Sequence, residues 1–104
     1  MRGEIWLVNL DPTVGSEIKK TRPCVVVSPA EMHDHLRTAI VAPMATKSRP
    51  APFRIGVTHG GQKGFILLDQ MRAVDKARLT KKSGAVSAKA LASALSTLRE
   101  VFTE

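Results

Sequence analysis

Acidic side chains are scarce in this chain of 104 residues: nine Asp and Glu stand against 16 Lys and Arg, leaving a net charge of +7. A balance of that kind favours a polyanionic partner, although a solvated basic surface needs no partner at all. Cysteine is almost missing. Cys24 has no intramolecular disulfide partner and, inside the run CVVVS, reads as a small buried hydrophobe. Aromatic residues are few, one Trp and three Phe with no Tyr, so a stacking platform for bases is poorly supplied. No apolar run is long enough to span a bilayer, and no charged leader precedes a small-residue cleavage site; the expectation is a cytoplasmic protein with no membrane attachment. Repeats, low-complexity tracts and linkers are absent too. A chain of this length that is 43% hydrophobic is therefore expected to form a single domain over residues 1–104.

What is present is a succession of short β-rich runs. EIWLVNL (Glu4 to Leu10) closes on the turn former DPTVG, and CVVVS (Cys24 to Ser28) closes on Pro29. TAIVAPM (Thr38 to Met44) is a third run. FRIGVTH (Phe53 to His59) alternates apolar and polar residues, and the glycine pair of HGGQKG reads as a hairpin turn into FILLDQMRAV. The period then changes. Leu91, Leu95, Leu98 and Phe102 fall on one stripe of an amphipathic helix, with Ser87 as its N-cap. Five strands and a C-terminal helix predict an α+β, mainly β fold: a small antiparallel sheet or barrel with the helix packed on it.

The positive charge is concentrated in the body, with 13 basic and four acidic residues from Lys19 to Lys82, whereas the tail after residue 83 is close to neutral. The segment EMHDHLR offers Glu31, His33, Asp34 and His35, but two histidines at i, i+2 share a face only on a strand, and after a proline this segment reads as a loop or short helix; an exposed polar loop is the plainer reading, and no metal is expected. Two other clusters are more promising. MATKSRP places Thr46 and Ser48 between Lys47 and Arg49 just past a strand end, and hydroxyls beside fixed cations suit a phosphate. GSEIKKTRP sets Glu17, Lys19 and Lys20 before Arg22, which Pro23 restricts to an extended conformation that helps aim its guanidinium. Their plain alternatives are a generic polar loop and a surface ion pair.

Three blocks, RGEIWLVNLDPTVGSEIKKTRPCVVVSP, IVAPMATKS and FILLDQMRAVDKARL, together resemble the MazF/PemK (Kid-like) toxins of bacterial toxin-antitoxin systems, in order and with matching spacing from Arg2 to about Leu79. The resemblance implies an SH3-like barrel (MazF/CcdB-like) with a C-terminal helix and a homodimer. It implies a sequence-specific, metal-independent endoribonuclease acting on single-stranded RNA, with no cofactor. It also implies a cognate acidic antitoxin that covers the RNA groove, with DNA bound only through the toxin-antitoxin complex. Arg22 matches the family's arginine before proline and Thr46 its threonine after the VAP strand, so these two form the implied catalytic pair; Glu17, Asp69 and Gln70 also match recurring positions. Ser16 and Leu67 stand where some Kid-like members carry a histidine and an arginine, so the assignment of acid and base stays open. Two alternatives remain: the related CcdB toxins share this fold and bind gyrase without cutting nucleic acid, and a non-catalytic RNA-binding module would also be basic.

The chemistry agrees with the nuclease. RNA carries its own nucleophile, the 2′-hydroxyl, so a protein need add only a base, charge stabilisation and in-line geometry. Arg22 suits the phosphorane charge, Thr46 adds a neutral donor, and Glu17 or Asp69 is the candidate base. The expected products are a 2′,3′-cyclic phosphate and a 5′-hydroxyl. Lys19, Lys20, Lys47, Ser48, Arg49, Arg54, Asp69, Gln70 and Arg72 are the expected RNA contacts, the cations among them on flanking phosphates.

Overall fold

The computed structural model describes residues 1–11 and 20–104. Among these, seven strands are formed: β1 (Glu4–Asn9), β2 (Thr21–Val26), β3 (Thr38–Ala45), β4 (Arg54–His59), β5 (Gln62–Leu67), β6 (Arg72–Asp75) and β7 (Leu79–Ala85). A short helix α1 (Ala30–His35) precedes β3, and α2 (Ala88–Val101) ends the chain. All pairings are antiparallel, in the order β4-β5-β3-β2-β1-β7, with β6 on β3 beside β5. The sheet curls into a half-barrel that α2 covers. The fold is mainly β with a C-terminal helix, as the strand runs and the leucine stripe imply.

Two strands more are present than the five expected, for two physical reasons. FILLDQMRAV reads as one apolar run, and its two halves do lie along the same edge of β3, β5 through Met44 and Ala45 and β6 through Thr38 to Val41. Between them the chain makes a 3-10 turn at Leu68–Gln70, which local propensity does not announce. The second addition, β7, is a lysine-rich edge strand with five of its seven residues exposed, and its polar composition hides it. The segment β2 starts earlier than expected, at Thr21, and so contains Arg22.

The second half of β2, Cys24 to Val26, is apolar on both sides and buried on both. Val25 joins Ile5, Ala42, Met44, Ile66 and Ala94 of α2 in one cluster, while Cys24 and Val26 join Val8, Leu10, Val41, Val74 and Leu79 in a second. Burial pushes the Cys24 thiol up to about 12, so it packs as a hydrophobe. The Ser87 hydroxyl caps α2 by accepting from the Ala90 N–H. The stripe differs from expectation at its far end: Ala94 is the helix residue fully buried, and Phe102 lies beyond the helix, 70% exposed. Gly60 and Gly61 both adopt positive φ and turn β4 into β5, the hairpin expected of HGGQKG.

The EMHDHLR segment forms the short helix α1, one of its two readings, but His33 is a buried anchor where an exposed polar segment was expected. His33 is buried with Nε2 2.6 Å from the Ser28 hydroxyl, whose oxygen also accepts from the Ile40 N–H. Desolvation, then the nearby N-terminus and Lys76, push the His33 pKa down. No cluster of three or more metal-ligating side chains exists among the described residues.

Candidate active site

The ladder between β2 and β3 runs over only three pairs, ending at Cys24 opposite Pro43. Counting back from Val27 and Val25, the next position of β2 that faces β3 is Pro23, and a proline has no N–H to give across the ladder. Residues 21–23 stay paired to β1, Arg22 opposite Val8 and Pro23 opposite Leu7. Past Pro43, β3 instead joins β5. The divergence opens a groove of about 270 Å³ lined by Arg22, Pro23, Met44, Ala45, Thr46, Val57, His59, Gln62 and Gly64. Arg22 and Thr46, 24 positions apart in sequence, thus face the same groove, and both are exposed.

Thr46 is held there by a close backbone approach. Gly64 of β5 lies so near the end of β3 that a Cβ built on it would sit 2.8 Å from the Ala45 carbonyl oxygen and 3.4 Å from the Thr46 Cα. Only glycine permits that approach without displacing the segment. The loop beyond Thr46 is fastened by Arg54. Its guanidinium donates to both carboxylate oxygens of Asp69, at 3.2 and 3.0 Å, to the Ser48 hydroxyl at 2.7 Å and to the Arg49 carbonyl at 3.3 Å. Most of its donors are thereby committed. The bond to Asp69 raises the Arg54 pKa further above its ordinary value. Arg54, Asp69 and Ser48, expected as separate RNA contacts, form one internal clamp; Lys47 and Arg49 are the exposed cations of that loop.

His59 escaped sequence reasoning. It ends β4 and shares the groove with Arg22 and Thr46, its Nε2 3.1 Å from the Ser83 hydroxyl of β7. A signal was available, because alternation along FRIGVTH places His59 on the same inward side as Ile55 and Val57. The groove continues into a larger cavity of about 680 Å³ that shares Met44, Thr46, Val57, His59 and Gly64 and reaches Lys89 on α2. Helix α2 thus contributes to the wall of this cavity.

Comparison with known families matches residues 1–102 to the model described as "PemK-like, MazF-like toxin of type II toxin-antitoxin system". The chain belongs to this family. Among curated relatives it is 40% identical over 87 residues to the endoribonuclease PemK of Escherichia coli, a match covering 78% of this chain and 65% of that protein. It is 33% identical to the endoribonuclease toxin MazF of Escherichia coli strain K12, covering 82% and 78%, and 36% identical to the endoribonuclease EndoA of Bacillus subtilis strain 168, covering 78% and 75%. In fold it superposes on MazF from Deinococcus radiodurans with a TM-score of 0.84 at 24% identity, covering 96% of this chain and 93% of that one.

The remaining expected site residues of this PemK/MazF-family chain divide by position. Lys20 ties the start of β2 to the residues after β1: its carbonyl accepts from the Leu10 N–H at 3.0 Å and its own N–H donates to Asp11 at 2.9 Å, with φ at +67°. Arg72 donates to the Leu10 carbonyl at 3.1 Å, and Arg78 donates to the carbonyls of Asn9 and Asp11. These arginines brace residues 9–11 at the end of β1, a role sequence reasoning gave to neither. Gln70 is half-buried on the 3-10 turn beside Asp69. Glu17 and Lys19 lie outside the described residues.

Proposed function

We propose that this PemK/MazF-family chain is the toxin of a toxin-antitoxin pair, a sequence-specific endoribonuclease that cuts single-stranded RNA without a metal. The observation that carries the reading is the meeting of Arg22 and Thr46 in one exposed groove; the endoribonuclease names of its relatives support it. In this reading a phosphodiester lies in the groove with its non-bridging oxygens on the Arg22 guanidinium and the Thr46 hydroxyl. The 2′-oxygen attacks the phosphorus, and both donors bind the developing negative charge more tightly than the ground state. Glu17 takes the 2′-proton. Asp69, the other candidate, is occupied by Arg54 and serves as a fastener. Lys47, Arg49, Lys20 and Lys19 hold flanking phosphates, and the partner that restrains the toxin is an acidic antitoxin competing for the same cations. Solved relatives include an endoribonuclease from a mycobacterial species in complex with its cognate antitoxin, which supports such a partner. The functional unit is a homodimer in the cytoplasm; Leu36, Val101 and Phe102, exposed on this chain, are apolar surface a second copy could cover.

Incubation with a long single-stranded RNA in EDTA tests this. Cleavage to 2′,3′-cyclic phosphate and 5′-hydroxyl ends is expected, and Arg22→Ala and Thr46→Ala should each lower the rate by roughly 100-fold with the fold intact. Full activity in folded Arg22→Ala would refute the pair. A gyrase-binding toxin or a non-catalytic RNA binder would leave the RNA whole.

A further inference from the structure

Arg22 and Thr46 can stabilise a pentacoordinate phosphorus, but neither can release a proton to the departing 5′-oxygen near neutral pH. Of the residues lining the groove, the two ionisable ones are Arg22 and His59. Histidine is the side chain suited to giving and taking a proton in that range. The placement of His59 is also constructed rather than incidental. Along β1 the register steps from Ile5 opposite Gly84 to Trp6 opposite Lys82, so Ser83 is the extra residue of a β-bulge on β7. Bulges redirect side chains, and here the hydroxyl of Ser83 meets Nε2 of His59 at 3.1 Å. Gly84, at φ +153°, completes the seat: a Cβ there would stand 3.3 Å from the imidazole Cε1. With Nε2 anchored to Ser83, Nδ1 has no partner among the described residues.

Resting on the nuclease reading above, we propose that His59 is the proton donor to the leaving 5′-oxygen, held in place by the Ser83 bulge. The 2′-oxygen to phosphorus bond forms as the phosphorus to 5′-oxygen bond breaks. The 2′-proton passes to the base, and the imidazolium of His59 gives its Nδ1 proton to the 5′-oxygen, becoming neutral while Nε2–H stays on Ser83. The charged groups facing His59 are Arg22 from β2, Lys63 from β5 and Lys89 from α2; no carboxylate lines either cavity among the described residues. The negative charge that an imidazolium meets there is the substrate's own phosphate.

The test compares two substrates, an ordinary oligoribonucleotide and one whose scissile 5′-oxygen is replaced by sulfur, because a thiolate departs without being protonated. His59→Gln should cut the ordinary RNA about 100-fold more slowly or worse, through kcat rather than KM, yet cut the sulfur-linked RNA within a few-fold of the native rate. Arg22→Ala should lose both. Ser83→Ala leaves the imidazole in place and frees its anchor; it should show a smaller loss, again confined to the ordinary substrate, and it serves if the His59 variant fails to fold. Equal losses on both substrates by folded His59→Gln, or no loss on either, would overturn the proposal while leaving the nuclease reading intact. A native protein that cuts neither substrate would overturn both.

Discussion

Replacing Gly64 by alanine isolates the contact that sets Thr46 in the groove. The new Cβ would stand 2.8 Å from the Ala45 carbonyl oxygen and 3.3 Å from its carbon, and ordinary contact begins near 3.4 Å, so the end of β3 must retreat by about 0.6 Å. The obstacle is backbone, not the tip of a flexible side chain, and β3 is paired there to β5 itself through Ala45 and Phe65. Overpacking of this kind costs about 1–3 kcal/mol, readable as a lower urea midpoint at unchanged slope. Catalysis should suffer separately. A misplacement of about 1 Å can cost roughly 100-fold, so a shift about half that size predicts a loss on the order of 10-fold, mostly in kcat under the proposed mechanism, in which Thr46 binds the transition state. Gly56, on the neighbouring strand opposite Phe65, supplies the control: its Cβ would meet nothing within 4 Å. Gly56→Ala should leave cleavage unchanged and stability equal or slightly higher. If Gly64→Ala cut RNA at the native rate, or if Gly56→Ala did comparable damage, Gly64 would not be what positions Thr46.

Two further outcomes follow from the same geometry. Because the Arg54 donors are committed to Asp69, Ser48 and Arg49, Arg54→Gln should loosen the 46–50 loop yet leave the salt dependence of RNA binding nearly unchanged, whereas Lys47→Gln should lower the slope of log K against log salt by about 0.7; equal slopes for the two variants would contradict the clamp. His33 is buried against Ser28 with its pKa pushed below the ordinary value of 6.5 by desolvation, so the unfolded chain binds the proton more readily. Stability should therefore be full above that value and fall as pH drops below it. Urea unfolding from about pH 7 to about pH 5 should show a weaker decline in His33→Gln than in the native protein, and an unchanged slope would remove His33 as the cause.

Local chemistry was legible in the residues themselves. Apolar runs declared the central strands, the glycine pair declared the β4–β5 hairpin, the leucine period and Ser87 declared α2, and proline after Arg22 declared an extended backbone that β2 does adopt. Three blocks in order were enough to point to the family. Those features are set by neighbours a few positions away, which is the range over which propensity and periodicity act. What the sequence could not declare depends on residues far apart in the chain. The lysine-rich β7 is a strand because β1 offers it a ladder, not because its composition favours one. Arg54 and Asp69, 15 positions apart, look like two independent RNA contacts until the hairpin folds them together. His59 gained a place in the site only when curling of the sheet brought β4 against the bulge of β7, 24 positions further on. Composition and period record what each segment can form; which polar groups end up facing one another is decided by the closure of the sheet, and the groove between Arg22 and Thr46 opens where β2 and β3 part at Pro23, which has no N–H to give to β3.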